Sequence, residues 1–205
     1  MKSRFDIEAA TWDDNPMRVA MAQNIASAML LAIPVKPDMT AIDFGCGTGL
    51  ISLALQSSFS QITGIDTSRG MVDVLNTKIK AADINNIEVL CLDITQSTPD
   101  IKADVIVSSM ALHHVEDVSS LLKTFTAMLN PGGYLVLADL DTEPGTFHTD
   151  NTGIYHFGFD REWFTEQLLT LGYKNVVTKT AHTLERPDAD GIMRSYTIFL
   201  ISGCL

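Results

Sequence analysis

The sequence is short of cations, cysteines and long apolar runs, and each shortage removes a class of protein. Fourteen Lys and Arg stand against 25 Asp and Glu, for a formal net charge of −11 with no basic cluster. Nucleic-acid phosphates would be repelled by that balance, so no nucleic-acid partner is expected. The three cysteines, Cys46, Cys91 and Cys204, are odd in number and unpatterned, as in a reduced cytoplasmic chain. The longest apolar stretch, about residues 26 to 35, is too short and too interrupted to span a bilayer. The start, Met1-Lys2-Ser3-Arg4-Phe5-Asp6, lacks the apolar core of a signal peptide. No internal repeat, low-complexity tract or Gly-Lys-Ser/Thr run of a phosphate-binding P-loop occurs. What remains is 205 residues, 46% apolar and 19% charged, the composition of one ordinary globular domain. The expectation is a cytoplasmic protein without a membrane partner, monomeric or homodimeric.

What the sequence does have is Ala41-Ile42-Asp43-Phe44-Gly45-Cys46-Gly47-Thr48-Gly49-Leu50-Ile51-Ser52-Leu53. An apolar run ends in three glycines at alternate positions, and a helical pattern follows at once. Strand, tight turn and helix bring backbone against a ligand at the carboxyl end of an α/β sheet. A dinucleotide fingerprint reads G-x-G-x-x-G/A, and Leu50 stands where its third small residue belongs. Asp43 adds an acid where a pyrophosphate would be repelled. The turn suits an uncharged or cationic group, and an NAD-dependent oxidoreductase is a competing reading that Leu50 disfavours.

Asp43-Phe44-Gly45-Cys46-Gly47-Thr48-Gly49 resembles motif I of the class I S-adenosylmethionine-dependent methyltransferases. Over residues 5 to 203 further landmarks follow in register. They are Asp66 after the second strand, Met110-Ala111-Leu112-His113-His114-Val115-Glu116-Asp117 after the fourth, and Leu129-Asn130-Pro131-Gly132-Gly133-Tyr134-Leu135. The whole is similar to the small-molecule, ubiquinone-biosynthesis-like branch of the family. The resemblance implies a Rossmann-like, doubly wound α/β fold with a seven-stranded sheet of order 3-2-1-4-5-7-6 and strand seven antiparallel. It implies S-adenosylmethionine as cofactor and S-adenosylhomocysteine as product. Asp43, Gly45, Cys46 and Gly47 would line the cofactor, with the Cys46 side chain assigned to packing. Asp66 would accept from both ribose hydroxyls, its structural alternative being a helix N-cap beside Thr67-Ser68. Thr67, Ser68 and Met71 would flank the adenine. Asp93 would accept from the adenine amino group while the Ile94 N–H meets the ring, the alternative being a surface loop carboxylate. Backbone at Ser108 and Ser109 would meet the methionine part.

The remaining periodicity predicts strands over 40–44, 61–65, 87–92, 103–109, 134–140, 175–180 and 195–202, with a polar turn over 182–194. Helices are expected from Pro16 and over 50–57, 69–82, 118–129 and 161–171. Residues 141–159 lack periodicity but hold four aromatics and two histidines, which marks a functional substrate-side loop rather than a disordered one. Tyr155, His156 and Phe157 are its substrate-side candidates, with plain packing as the alternative. Residues 1–38 form a helical segment of the kind the family lays over its active site. Trp12 is read as a pin to the core and, compatibly, as an aromatic lid over the cofactor or substrate cleft, and Arg18 as either a partner for the cofactor carboxylate or a solvated side chain. If the acceptor must lose a proton, His113 or His156 would be the general base, although His113 could equally cap or pack. No metal is expected, because His113-His114 lack a third ligand and Asp139, Asp141 and His148 are too loosely spaced.

The chain 1–205 is thus expected to be a single domain that transfers a methyl group from S-adenosylmethionine to a small molecule by in-line displacement. The sulfonium is already activated, so positioning and desolvation carry the rate, a contribution of roughly 7–11 kcal/mol. The competing reading is a non-catalytic regulatory module that binds S-adenosylmethionine or S-adenosylhomocysteine, because these motifs bear on binding more than on turnover.

Overall fold

The structure, a computed structural model, describes residues 3–96, 99–188 and 191–205. Strands β1 (Thr40–Phe44), β2 (Gln61–Asp66), β3 (Ile87–Cys91), β4 (Ala103–Ser109), β5 (Leu129–Leu140), β6 (Lys174–Pro187) and β7 (Met193–Cys204) form one seven-stranded sheet. Its order is β3-β2-β1-β4-β5-β7-β6, parallel from β3 to β5, with β7 antiparallel to both neighbours. Alternate strand residues feed opposite layers, as a pleated backbone requires. Ile42, Ile106, Leu135 and Leu137 meet Leu122, Phe125, Phe164 and Leu168 of helices α5 (Val118–Met128) and α6 (Arg161–Thr170). Ala41, Val105, Val107 and Val136 face the other way, onto Ile25 and Met29 of α2 (Pro16–Leu30) and Ile51 and Leu55 of α3 (Leu50–Leu55).

Short polar residues start the helices where the sequence places them. Asn15 Oδ1 accepts from the amides of Met17 and Arg18 ahead of α2, with Pro16 at its first position. Ser68 accepts from Met71 N to open α4 (Arg69–Ala81), and Asp160 accepts from Trp163 N to open α6. Upstream lie α1 (Arg4–Glu8) and a 3-10 turn over Ala9–Asp14.

The turn expected over 130–133 lies inside β5. Leu129 pairs with Ala103, and pairing resumes with Tyr134 opposite Val105 across an irregularity that Gly132 permits with φ +78°. The polar turn expected over 182–194 is mostly strand. β6 and β7 pair from Lys174↔Cys204 to Pro187↔Met193, so the expected strands 175–180 and 195–202 are too short. Polar composition misleads there because Thr183 and Glu185 face solvent while cross-strand pairing holds the backbone. Among the described residues, no helix is long and apolar enough to cross a membrane.

Candidate active site

β1 delivers the chain into Gly45, Gly47 and Gly49, whose φ values of +70°, +53° and +85° other residues resist. A Cβ on Gly45 would stand 2.3 Å from Ala111 Cβ, and one on Gly49 2.2 Å from Leu75 Cδ1. Gly47 differs, because nothing lies within 4 Å of a Cβ built there. The turn therefore opens at Gly47, where its amide donates to Asp66 Oδ2 at 2.8 Å. The Ser68 amide donates to Asp66 Oδ1, also at 2.8 Å, and Ser68 itself caps α4. Asp66 is thus free of capping, and its two oxygens keep further acceptor capacity. Burial raises its carboxyl above the usual range, against the pull of those backbone donors.

Asp43 sits one residue before the end of β1, 1% exposed, with Oδ2 accepting from Ser52 Oγ at 2.5 Å. Burial pushes its carboxyl up to about 7, and a cationic amino group beside it would draw it back to the charged form. An opening free of Cβ atoms, a carboxylate at the end of β2 and an acid beneath the turn fit the amino acid and ribose parts of S-adenosylmethionine.

Other expected cofactor residues fall into place unequally. The Cys46 amide donates to Ile65 O, its carbonyl accepts from Gly49 N, and its thiol would be 3.0 Å from a Cβ on Gly64. It packs the turn and offers a ligand no polar group of its own. Burial also raises its thiol well above the usual value, so it stays protonated. Thr67 is exposed, whereas Met71 and Ile94 are buried. Asp93 is exposed, and Oδ1 accepts from Thr95 N and Thr95 Oγ1 in a local turn. Ser108 is buried with Oγ donating to Phe44 O at 3.0 Å, which ties β4 to β1. Ser109 ends β4, and Met110 follows at φ +55°, a left-handed kink that turns the chain toward His113.

His113 is buried, and its Nδ1–H donates to Asp139 Oδ1 at 2.7 Å. Asp139 on β5 is 0% exposed, and Leu112 N, His113 N and Leu140 N also donate to it. Burial would raise this carboxyl, but the His113 ring and those amides hold it below the usual range. With Nδ1 carrying the proton, His113 Nε2 is the basic nitrogen, and it is buried with no partner among the described residues. Its ring centroid lies 4.2 Å from that of His114 and 5.1 Å from that of His148. Burial drops His114 to about 4 and His148 to about 3, so both are neutral at pH 7.

The N-terminal segment spans from one side to the other. Asp6 Oδ1 accepts from Ser68 Oγ and Gly70 N at the head of α4. Asp13 accepts from Thr48 Oγ1 in the glycine turn and pairs with Lys78, whose Nζ also donates to Thr48 O at 2.7 Å. On the far side Phe5 meets His114 edge-on at 4.9 Å, and Arg4 donates to Asp150 O. Trp12 belongs to neither core cluster: it lies 5.8 Å from Phe5, with the Arg18 guanidinium 3.6 Å over its ring. Arg18 is neither simply solvated nor directed at the glycine turn, since it also donates to Trp12 O.

In the 141–159 loop, Tyr155 and His156 donate their amides to His113 O, fixing the backbone at His113. The Tyr155 and Phe157 side chains are exposed on the rim, Phe157 against Gly145. His156, the other candidate base, is hydrogen-bonded through its ring. Its Nε2–H donates to the carbonyls of Val115 and Glu116, so it braces the loop. Asp141 is held by Arg161 and Thr197, away from the Asp139 network. Asp139 as the partner of His113, and His148 and Arg186 as its surroundings, went unread in the sequence. The signal for Asp139 was an acid inside the apolar run Tyr134-Leu135-Val136-Leu137-Ala138-Asp139-Leu140.

Residues 42–137 match the model of a methyltransferase domain family. An uncharacterized methyltransferase of Schizosaccharomyces pombe is 35% identical over 76% of this chain and 58% of its own length. A ubiquinone biosynthesis O-methyltransferase of Coxiella burnetii is 34% identical over 49% of this chain and 43% of its own. The chain thus spans about half the length of these curated relatives. The DhpI structure with S-adenosylhomocysteine bound superposes with a TM-score of 0.72, at 20% identity, over 98% of this chain and 92% of that one. Sheet order, glycine turn and these matches agree that residues 42–137 form a methyltransferase domain, on the fold of the S-adenosylmethionine-dependent methyltransferases.

Proposed function

We propose that the protein methylates an oxygen or nitrogen of a small molecule, with His113 as the general base. One observation carries this reading: a buried imidazole whose Nδ1–H is fixed by Asp139 and whose Nε2 has no partner among the described residues. S-adenosylmethionine, when bound, supplies a methyl group on an electrophilic sulfonium. Gly45, Gly47, Asp43 and Asp66 would hold it, with Thr67, Met71, Asp93, Ile94 and Ser109 as further candidates around the adenine and methionine parts. His113 Nε2 takes the proton of the acceptor O–H or N–H, and Asp139 stabilises the imidazolium that results. Neutral His114 and His148 add no charge of their own beside it. Residues 1–38 act as a lid and residues 141–159 as the acceptor wall, with Trp12, Tyr155 and Phe157 toward the substrate.

The ubiquinone biosynthesis relative supports a small-molecule acceptor. The acidic balance and three free cysteines support a cytoplasmic enzyme that does not act on nucleic acid. The test is turnover of S-adenosylmethionine against a panel of small O–H and N–H acceptors, in wild type and in His113→Gln. Methylation that depends on His113 is expected. Tight S-adenosylhomocysteine binding with no acceptor methylated would favour a regulatory module instead.

A further inference from the structure

In a chain with a net charge of −11, three of the six arginines gather at the far end of the cleft. Arg18 stacks on Trp12 at one end of the arc of rings around His113, and Arg186 lies 5.1 Å over Phe147 at the other. Phe147 is 4.9 Å from His148, which joins the second arginine to the basic histidine. Arg4 stands between them on the lid, paired with Glu8.

Neither Arg18 nor Arg186 has a carboxylate within ion-pair distance among the described residues. Arg18 spends one Nη1–H on Trp12 O and leaves the rest of its fork unused. Burial lowers the Arg18 guanidinium, and repulsion from Arg4 and Arg186 adds to this against the pull of Glu8 and Asp13. Arg186 also faces Arg194 directly across the β6–β7 pair, an arrangement that costs stability. Asp188 compensates Arg194 at 2.5 Å, whereas Arg186 has no ion pair among the described residues. Half-buried, mutually repelling guanidinium groups around a site are stabilised when an oxyanion enters between them, and the planar fork matches a carboxylate or phosphate.

We infer that the methyl acceptor is an anion, carrying a carboxylate or phosphate that Arg18 and Arg186 hold while its O–H or N–H faces His113. This rests on the methyltransferase reading and adds the acceptor's chemical class to it. Arg18 and Arg186 are specificity residues: they orient the acceptor and take no part in the proton transfer.

The test uses the full chain and matched probes: glycerate against glyceramide, glycerol 3-phosphate against glycerol, and 4-hydroxybenzoate against 4-hydroxybenzamide. Binding is read by ligand-observed NMR, with S-adenosylhomocysteine bound and its own affinity measured first. At least one acid should bind tenfold or more tighter than its neutral partner, and the carboxylate and phosphate pairs tell which oxyanion is preferred. The preference should shrink with added salt and fall below about threefold in Arg18→Gln/Arg186→Gln. Equal binding of acids and neutral partners in wild type, or no binding of either, overturns the inference without needing the variant. An acid preference that survives in the folded double variant overturns it as well. Failure of S-adenosylhomocysteine to bind would instead overturn the methyltransferase reading beneath it.

Discussion

The two ends of the cleft are built by different means. At the cofactor end, backbone does the positioning: a turn with three positive-φ glycines, the Gly47 and Ser68 amides on Asp66, and an acid beneath at Asp43. At the proposed acceptor end, side chains do it: a histidine on a buried aspartate, two neutral histidines, aromatic rings and arginines. A backbone site recognises what stays constant, since any residue that folds the turn presents the same N–H groups. A site of side chains from residues 4–18, 113–114, 139, 147–148 and 186 can change its acceptor one substitution at a time. The N-terminal segment is the element that touches both, through Asp6 and Asp13 on one side and Phe5 on the other.

If the ends are separable, changes at each should strike different readouts. The largest effect is expected at His113: His113→Ala should lower kcat by about 10²–10⁴. Next is Asp43, whose carboxyl rises from 3.8 to about 7 in the folded state. A raised carboxyl means that the native state holds its proton more tightly than the unfolded chain. Stability should therefore fall as pH rises from about 4 to about 7 and stay reduced above that, by up to about 4 kcal/mol. Asp43→Asn should flatten that dependence in thermal melts at pH 5 and pH 8, gaining most at pH 8. Melts that change equally at both pH values would mean that Asp43 is ionised throughout. Third, Gly47→Ala should cost only about 1–2 kcal/mol in stability, the strain of its positive φ in open space. Its S-adenosylhomocysteine affinity should nonetheless drop more than tenfold, and unchanged affinity would close the opening proposed there. The smallest effect is expected at the lid. Lys78→Ala removes a half-exposed pair worth about 0–1 kcal/mol, so it should leave the melt nearly unchanged and raise the KM for the acceptor.

The same division explains what could be read from sequence. Asp43 to Gly49 is contiguous, and Asp66 and the strand ends follow from the order of a parallel sheet, so the glycine turn and its place in the fold were legible in the sequence. For Cys46 the motif names a position and cannot say that its amide is already spent on Ile65 O. The acceptor end joins residues far apart in the chain. Nothing near His113 in sequence reveals Asp139, 26 residues on, and nothing near Tyr155 and His156 shows that they serve His113 through their amides. The β6–β7 hairpin was underestimated for a related reason. Its polar outer face carries no period-two apolar signal, and its length is set by pairing across the strands. Arg186 was missed with it.

The central claim, that one end holds the cofactor and the other performs the chemistry, is tested most directly by calorimetric titration of S-adenosylhomocysteine into two variants. Asp66→Ala should bind it more weakly by about 1–3 kcal/mol, and His113→Ala should bind it as the wild type does. Full affinity in Asp66→Ala together with lost affinity in His113→Ala would contradict the account.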